Sequence, residues 1–350
     1  MQDDLFGGSP PAPAGRSTAR GPAPATVAPS APDPAHLALA AALPARLRLG
    51  TSSWTYPGWA GLVWDGEYAD ATLSRHGLVA YGAHPLLRTV CIDRSFYCPL
   101  TAAQYARYAA QVPEHFRFVV KAPGSVTDAL VRGEDGRGMQ ANPLFLNPAL
   151  AVQDFVLPAL EGLGARTGAL VFQLSPLPPA WLQDPAALFD ALRALLRALP
   201  PMPETAPDAV VAVEVRDAAL LTPALAAVLR EGGATCCLGL HAKMPAIAEQ
   251  LPLLRALWPG PLVCRWNLNP LHGAYGYEDA QRLYSPYDRI VDVDEATRST
   301  LARVIRATVD AGHNAFVTIS NKAEGCAPLS AAGLAQAVLD QPPPRPRRAG

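Results

Sequence analysis

Glu214 and Arg216 stand two residues apart in VVAVEVRD (210–217), a run otherwise dominated by valine. Side chains on a strand alternate between its two faces, so the two charges share one face while Val211, Val213 and Val215 take the other. An acid and a cation held together in apolar surroundings can move a proton, because burial and the neighbouring charge reset the pKa of each. Asp93 is a second carboxylate, at the end of the apolar run TVCIDRSF (89–96), and Lys121 is a cation closing FRFVVKAP (116–123). Glu214, Lys121 and Asp93 are therefore the candidate catalytic residues, and Glu214 is the first choice for the proton-transfer group. The competing structural reading is a Glu–Arg pair that only fills the interior.

Other strand-end residues suit binding. Arg216, Arg265 and Lys322, with Lys121, can hold a phosphate, sulfate or carboxylate. Trp54, Tyr56, Trp59, Tyr97 and Trp266 offer flat faces for a sugar or a base. Ser53, Arg94, Gln173, His241 and Asn321 complete the candidate substrate-binding set. Of the 29 basic residues only Lys121, Lys243 and Lys322 are lysines, so finding two of them at strand ends is informative. Of the seven histidines only His241 ends a strand directly. A multi-metal site is thus poorly supported, and the expectation is no metal and no cofactor.

These residues need a frame that brings them together. Eight β-like runs, at 47–54, 89–96, 116–123, 169–175, 210–217, 234–241, 261–268 and 315–322, alternate with helical ones. TAAQ at 101–104 is a capping box, and the pairs Asp184-Pro185 and Thr222-Pro223 join an N-cap to proline at the first helical position. Gly232 and Gly312 fall where helices should end. Apolar strands alternating with helices imply a parallel sheet covered on its outer face. Eight such units imply an α/β fold, a single TIM-like (β/α)8 barrel over 46–341, with its site at the C-terminal ends of the strands. A doubly wound sheet is the rival, but no G-x-G-x-x-G or Walker loop supports it. Residues 1–45, rich in Pro and Ala, read as a disordered extension whose removal leaves the melting temperature unchanged. Residues 342–350 read as a basic Pro-rich tail.

The chain has 350 residues and a formal net charge of −1, so no global field draws it to nucleic acid or to an anionic membrane. Six cysteines without a C-x-x-C pair suggest a reducing, cytoplasmic setting. No apolar run reaches the roughly 18 residues of a membrane span, and the N-terminus lacks the apolar stretch of a signal peptide. The expected partner is a small molecule of sugar or phosphate type.

Several stretches together resemble the barrel proteins of domain of unknown function 72, the YecE-like family. They are GTSSWTYPGW (50–59), DRSFYCPLT (93–101), FRFVVKAP (116–123), LVFQLSP (170–176), VAVEVRD (211–217) and NKAEGCAPLS (321–330). They follow the family's order and span about 46 to 335. The resemblance implies a TIM-like barrel with a polar pocket at its top and no settled activity. Where that family has Glu-x-Asn in its second strand, this chain has Cys91 and Asp93. It keeps Arg265 of an Arg-x-His-Gly motif but continues as WNLNPLHG, and it has Ser320-Asn321 in place of Asn-Asn.

The leading expectation is an enzyme, a hydrolase, lyase or isomerase, acting on an anionic or sugar-like small molecule. The alternatives are an endonuclease-like nucleic-acid barrel, a ligand-binding module without catalysis, and a Schiff-base aldolase using Lys121. Ligand counting predicts that the purified protein carries no stoichiometric transition metal. Elemental analysis finding about one zinc or manganese per chain would restore the nuclease reading.

Overall fold

The computed structural model describes residues 26–133, 138–241, 243–273 and 276–342. All eight expected runs form strands: β1 (Leu47–Thr51), β2 (Leu87–Ile92), β3 (Arg117–Lys121), β4 (Thr167–Gln173), β5 (Val210–Glu214), β6 (Thr235–Leu240), β7 (Leu262–Trp266) and β8 (Ala315–Ile319). Each pairs in parallel with its neighbour in sequence, and β8 closes on β1 with Leu47 opposite Ala315 and Thr51 opposite Ile319. The result is the predicted closed (β/α)8 barrel.

The apolar runs are continuous because both strand faces are buried. Outward side chains such as Val211, Val213, Cys264 and Trp266 join the large core under the helices. Inward ones form a separate apolar band across the barrel's middle: Cys91, Val119, Ala169, Val171, Ala212, Cys237, Val263 and Phe316. Below that band, at the N-terminal ends, Asp208 closes the barrel. It meets Arg48 Nη2 and Arg117 Nη2, each at 2.8 Å, and accepts from Asn314 Nδ2 at 3.0 Å. Above the band lie the charges at the strands' C-terminal ends.

The helix signals hold locally. Thr101 and Gln104 form the reciprocal capping box of helix Ala102–Ala109, and Thr222 caps helix Pro223–Glu231 through Leu225 N. Gly312, one residue past the Ala311 C-cap of helix Glu295–Asp310, takes a φ of 83°, a left-handed conformation that glycine reaches without strain. The second run behaves differently from expectation. It begins at Leu87 and stops at Ile92, because Asp93 adopts helical dihedrals and leads into one turn, Arg94–Tyr97. A two-stranded antiparallel hairpin, Leu130–Arg132 with Gly138–Ala141, interrupts the β3–β4 connection; no motif announced it. No helix among the described residues is long and apolar enough to cross a membrane.

The extension needs a correction. Residues 1–25 lie outside the described residues, but 26–45 are ordered. Asp33 caps helix Pro34–Ala42 through Ala35 N at 2.8 Å. The backbone of Ser30 and Ala28 bonds to Val63 and Asp65, and Arg88 Nη2 donates to Ala40 O at 2.7 Å. Val27 and Leu43 are buried in the main core. Composition averaged over 45 residues hides the few apolar side chains that dock. Likewise, residues 343–350 of the expected tail lie outside the described residues. A chain starting at residue 46 loses the burial of Val27 and Leu43, a cost of about 3 kcal/mol at roughly 1.5 kcal/mol or more each. Thermal unfolding should show it melting several degrees below the full chain; an unchanged midpoint would return the segment to the unattached state that composition suggests.

Candidate functional site

Strand register assembles the site. β4 and β5 set Gln173 beside Glu214, while β6, β7 and β8 set Gly239, Arg265 and Thr318 at one level. Arg265 therefore stands two strands from Glu214, and the strand between them contributes a glycine. A Cβ built on Gly239 would lie 3.0 Å from Glu214 Oε1 and 3.3 Å from its Cγ. The missing side chain leaves the space in which the carboxylate sits.

Arg265 links four strands. Its Nη1 donates to Glu214 Oε2 at 2.8 Å and to Gln173 Oε1 at 2.7 Å, and its Nη2 donates to Asp93 Oδ1 at 3.1 Å. Arg216 Nη2 donates to the same Gln173 oxygen at 2.8 Å. It also lies 2.8 Å from Glu214 Oε1, but without hydrogen-bond geometry, so that contact is an ion pair alone. The Glu214 side chain is 0% exposed and that of Asp93 37%, so the cluster opens to solvent on the Asp93 side. Cys91 Sγ donates to Asp93 Oδ1 at 3.1 Å.

Electrostatics separate the three candidate catalytic groups. Burial pushes the Glu214 carboxyl up, yet the Arg216 and Arg265 guanidiniums and the Lys121 ammonium outweigh it and hold the pKa below the usual carboxylate value. A carboxylate pinned in this way stays charged and is badly placed to give or take a proton at neutral pH. Lys121, 9% exposed, is the reverse case. Burial lowers it to about 8, against the pull of Asp93 and with help from Arg265 and Arg216. Its Nζ lies 3.6 Å from the centre of the Phe96 ring.

Asp93, Lys121, Gln173, Glu214, Arg216 and Arg265 are thus brought together. His241 borders them, half-buried, its ring 5.1 Å from that of Tyr277. Burial and then Arg216 hold it down at about 4, so it is neutral at physiological pH. Ser53 and Tyr56 are half-buried on the β1 side, and Tyr56 meets Tyr287 edge-on at 5.5 Å. Arg94 and Tyr97 are exposed on the turn after β2. Lys322 sits on the β8 side, bonding Gln281 Oε1 at 3.2 Å.

Four residues expected to bind ligand belong to the packing instead. Trp266 follows Arg265, so alternation turns it outward into the core. Trp54 is buried edge-on against Tyr108 at 5.7 Å. Trp59 is fully buried; it stacks on Trp64 and donates Nε1 to Asn321 Oδ1 at 3.2 Å. Asn321 also accepts from Ala327 N at 2.8 Å, which fixes the loop after β8 to the next helix.

The residues not foreseen are Phe96 as the face under Lys121, Tyr277 against Arg216 and His241, and Gly239. Gln250 supports Gly239 by bonding both its N and its O. Phe96 stood in a motif without a role. Tyr277 offered no signal beyond an aromatic in the first turn of a helix. His272, a loop residue without a clear role in the sequence, has Nε2 2.7 Å from the Tyr284 hydroxyl, which in turn donates to Asp292 Oδ2 at 2.8 Å. Among the described residues no group of three His, Cys, Asp or Glu could hold a metal ion.

A closed parallel barrel carrying a buried ion cluster at the C-terminal strand ends places this chain among the (β/α)8 proteins. More narrowly, it belongs to the family described as "Protein of unknown function DUF72", whose model matches residues 48–349, as the motifs implied. A DUF72 family protein from Enterococcus faecalis V583 superposes with a TM-score of 0.56 at 16% identity, covering 83% of this chain and 95% of that one. One from Thermotoga maritima MSB8 gives 0.51 at 17% identity, covering 84% and 99%. At such identities the likeness shows the fold. No curated protein matches the chain.

Glu214→Gln leaves two buried guanidiniums facing a neutral amide. The variant should lose on the order of 3 kcal/mol of stability, the usual scale for breaking a buried ion pair from one side. Chemical denaturation at pH 7 measures this; a midpoint equal to the parent's would mean that the carboxylate does not anchor the cluster.

Proposed function

We propose that the chain is an enzyme acting on a small anionic molecule at the C-terminal mouth of the barrel, with Lys121 as the proton-transfer group. The observation that carries this is Lys121, a residue only 9% exposed whose amine rests over the Phe96 ring and makes no hydrogen bond or ion pair among the described residues. Charge supports an anionic ligand. Lys121, Arg216 and Arg265 supply three positive charges against two from Asp93 and Glu214, so one positive charge is left over. In a buried site that excess favours a carboxylate or phosphate.

Roles divide accordingly. Glu214 positions Arg216 and Arg265, and its charge together with that of Asp93 holds Arg265 well above its ordinary value. Lys121, brought down to about 8, releases or takes a proton near neutral pH, where general acid–base catalysis is most effective. Asp93, on the open side, can exchange that proton with solvent. Whether the reaction is hydrolysis, elimination or isomerisation depends on the ligand. The six free cysteines fit work in a reducing compartment, in keeping with a cytoplasmic setting.

The test is a thermal-shift screen of carboxylates, sugar phosphates and neutral sugars, followed by turnover of the ligands that stabilise. Occupancy at 100 times Kd adds about 2.7 kcal/mol, which is easily seen. Anions should raise the melting temperature, and kcat/KM should rise with pH through an apparent pKa near 8. Lys121→Met removes a buried charge that has no counter-ion, so it should fold at least as well as the parent and lose turnover by about 100-fold or more. Normal turnover by Lys121→Met, or stabilisation by neutral sugars alone, would defeat this reading. Binding without turnover would make the barrel a ligand-binding module.

A further inference from the structure

We propose that Lys121 is also a nucleophile. Its ε-amine condenses with the carbonyl carbon of a small oxo compound that bears a carboxylate or phosphate, forming a Schiff base at the mouth of the barrel. This rests on the reading above for the anion and adds the carbonyl.

The first support is the way the cluster distributes its charges. A lysine beside two carboxylates would ordinarily pair with one of them and remain an ammonium. Here both carboxylates are taken. Glu214 Oε2 accepts from Arg265 at 2.8 Å, Glu214 Oε1 lies 2.8 Å from Arg216, and Asp93 Oδ1 accepts from Arg265 Nη2 at 3.1 Å. The two guanidiniums thereby leave Lys121 without an oxygen partner. Guanidinium is the stronger claimant, since its planar fork matches carboxylate geometry and it stays charged when buried.

The second support is placement. Lys121 is the last residue of β3, and its inward neighbour two residues before is Val119 of the apolar band. Nζ rests 3.6 Å from the centre of the Phe96 ring. The nitrogen itself thus sits over an aromatic face, within the field of Asp93, Arg265 and Arg216. An amine poised in apolar surroundings next to fixed cations is the standard arrangement for carbonyl condensation. Burial, together with the Arg265 and Arg216 charges, outweighs Asp93 and brings the amine down to about 8. A useful fraction is therefore neutral at physiological pH.

Asp93 supplies the proton movements. The Nζ lone pair attacks the carbonyl carbon, and the C=O π pair moves to oxygen, which takes a proton from solvent on the open side of the cluster. The resulting carbinolamine nitrogen gives up a proton to the Asp93 carboxylate. Asp93 returns it to the hydroxyl, which leaves as water while the nitrogen lone pair forms the C=N bond. Amine, carbonyl and one solvent proton enter, the protonated imine and water leave, and no oxidant or reductant is needed. Asp93 is 37% exposed, which gives the departing water a way out.

Reductive trapping tests this on the full chain. The protein is incubated at pH 8 with borohydride and one of four probes: pyruvate, glyceraldehyde 3-phosphate, acetone or glyceraldehyde. Adducts are then mapped by peptide mass spectrometry. Because the chain has three lysines, Lys243 and Lys322 serve as internal controls; Lys243 is exposed and Lys322 is partly buried. Trapping should saturate with probe and favour Lys121 by at least about tenfold, as expected of an activated amine. Pyruvate as the better probe would assign a carboxylate, and glyceraldehyde 3-phosphate a phosphate. Asp93→Asn should slow trapping while leaving Lys121 the labelled residue. Equal labelling of the three lysines, preference for the neutral probes, or no adduct at Lys121 overturns the proposal. If anions stabilise the protein while Lys121 stays unlabelled, the Schiff base falls and the anion site stands. If neither occurs, both fall.

Discussion

A carboxylate with no exposed surface stays ionised only if something replaces the water it has lost. For Glu214 that replacement is two guanidiniums, Arg265 at 2.8 Å and Arg216 at 2.8 Å. The rest of the upper barrel follows from this pairing. Arg265 must cross from β7 past β6 to reach β5, so β6 carries a glycine at that level. Gln173 presents one amide oxygen to both arginines, which brings in β4. Asp93 takes the remaining face of Arg265, which brings in β2. Beneath them the apolar band offers only two thiols, Cys91 to Asp93 Oδ1 at 3.1 Å and Cys237 to Glu214 Oε2 at 3.9 Å. A pair of this kind is a weak source of net stability, because desolvation offsets most of the attraction. What it fixes is geometry: the arginines are committed, and Lys121 is the cation left over.

The sequence made the barrel legible because its strands are continuous apolar runs bounded by turn and cap residues, a pattern set by burial on both faces. It also showed which side of β5 faces inward, since valines at 211, 213 and 215 can only belong to the outer core. Burial depth was harder to read. Trp59, Trp266 and Asn321 look like ligand-binding residues by type, yet they are interior. Nothing in a linear motif separates an aromatic that lines a mouth from one that supports the loop behind it. The role of Glu214 was also hidden. Its pairing with Arg216 could be read at spacing two, but its second and decisive partner, Arg265, lies 51 positions away. The ordered segment 26–45 was missed because average composition is insensitive to two or three docking side chains.

The stretches that carry the family resemblance divide into two jobs. Those around 93–101, 116–123, 170–176 and 211–217 deliver side chains to the polar cluster. GTSSWTYPGW and NKAEGCAPLS mainly hold the loops above it. Trp59 Nε1 reaches Asn321 across the top of the barrel. Glu324, fully buried, accepts from Asp294 N at 2.8 Å and from Arg298 Nη2 at 2.6 Å. Gly58 packs so tightly on the 286 carbonyl that a Cβ would come within 1.8 Å of its oxygen. A site read only from strand ends therefore depends on loop contacts that are themselves chemically inert.

Gly239 imposes an order on how this barrel top can change over evolutionary time. An alanine there would place a methyl 3.0 Å from Glu214 Oε1, and a carboxylate gripped by two arginines has no freedom to retreat. While Glu214 is present, Gly239→Ala obliges a tightly held carboxylate to give by a few tenths of an ångström, which opposes the substitution. Once position 214 has shortened to aspartate, the same substitution meets less resistance, and it then opposes the return to glutamate. One absent side chain thus acts as a ratchet: lineages that keep the glycine retain access to this charge arrangement, and lineages that fill it leave the arrangement behind.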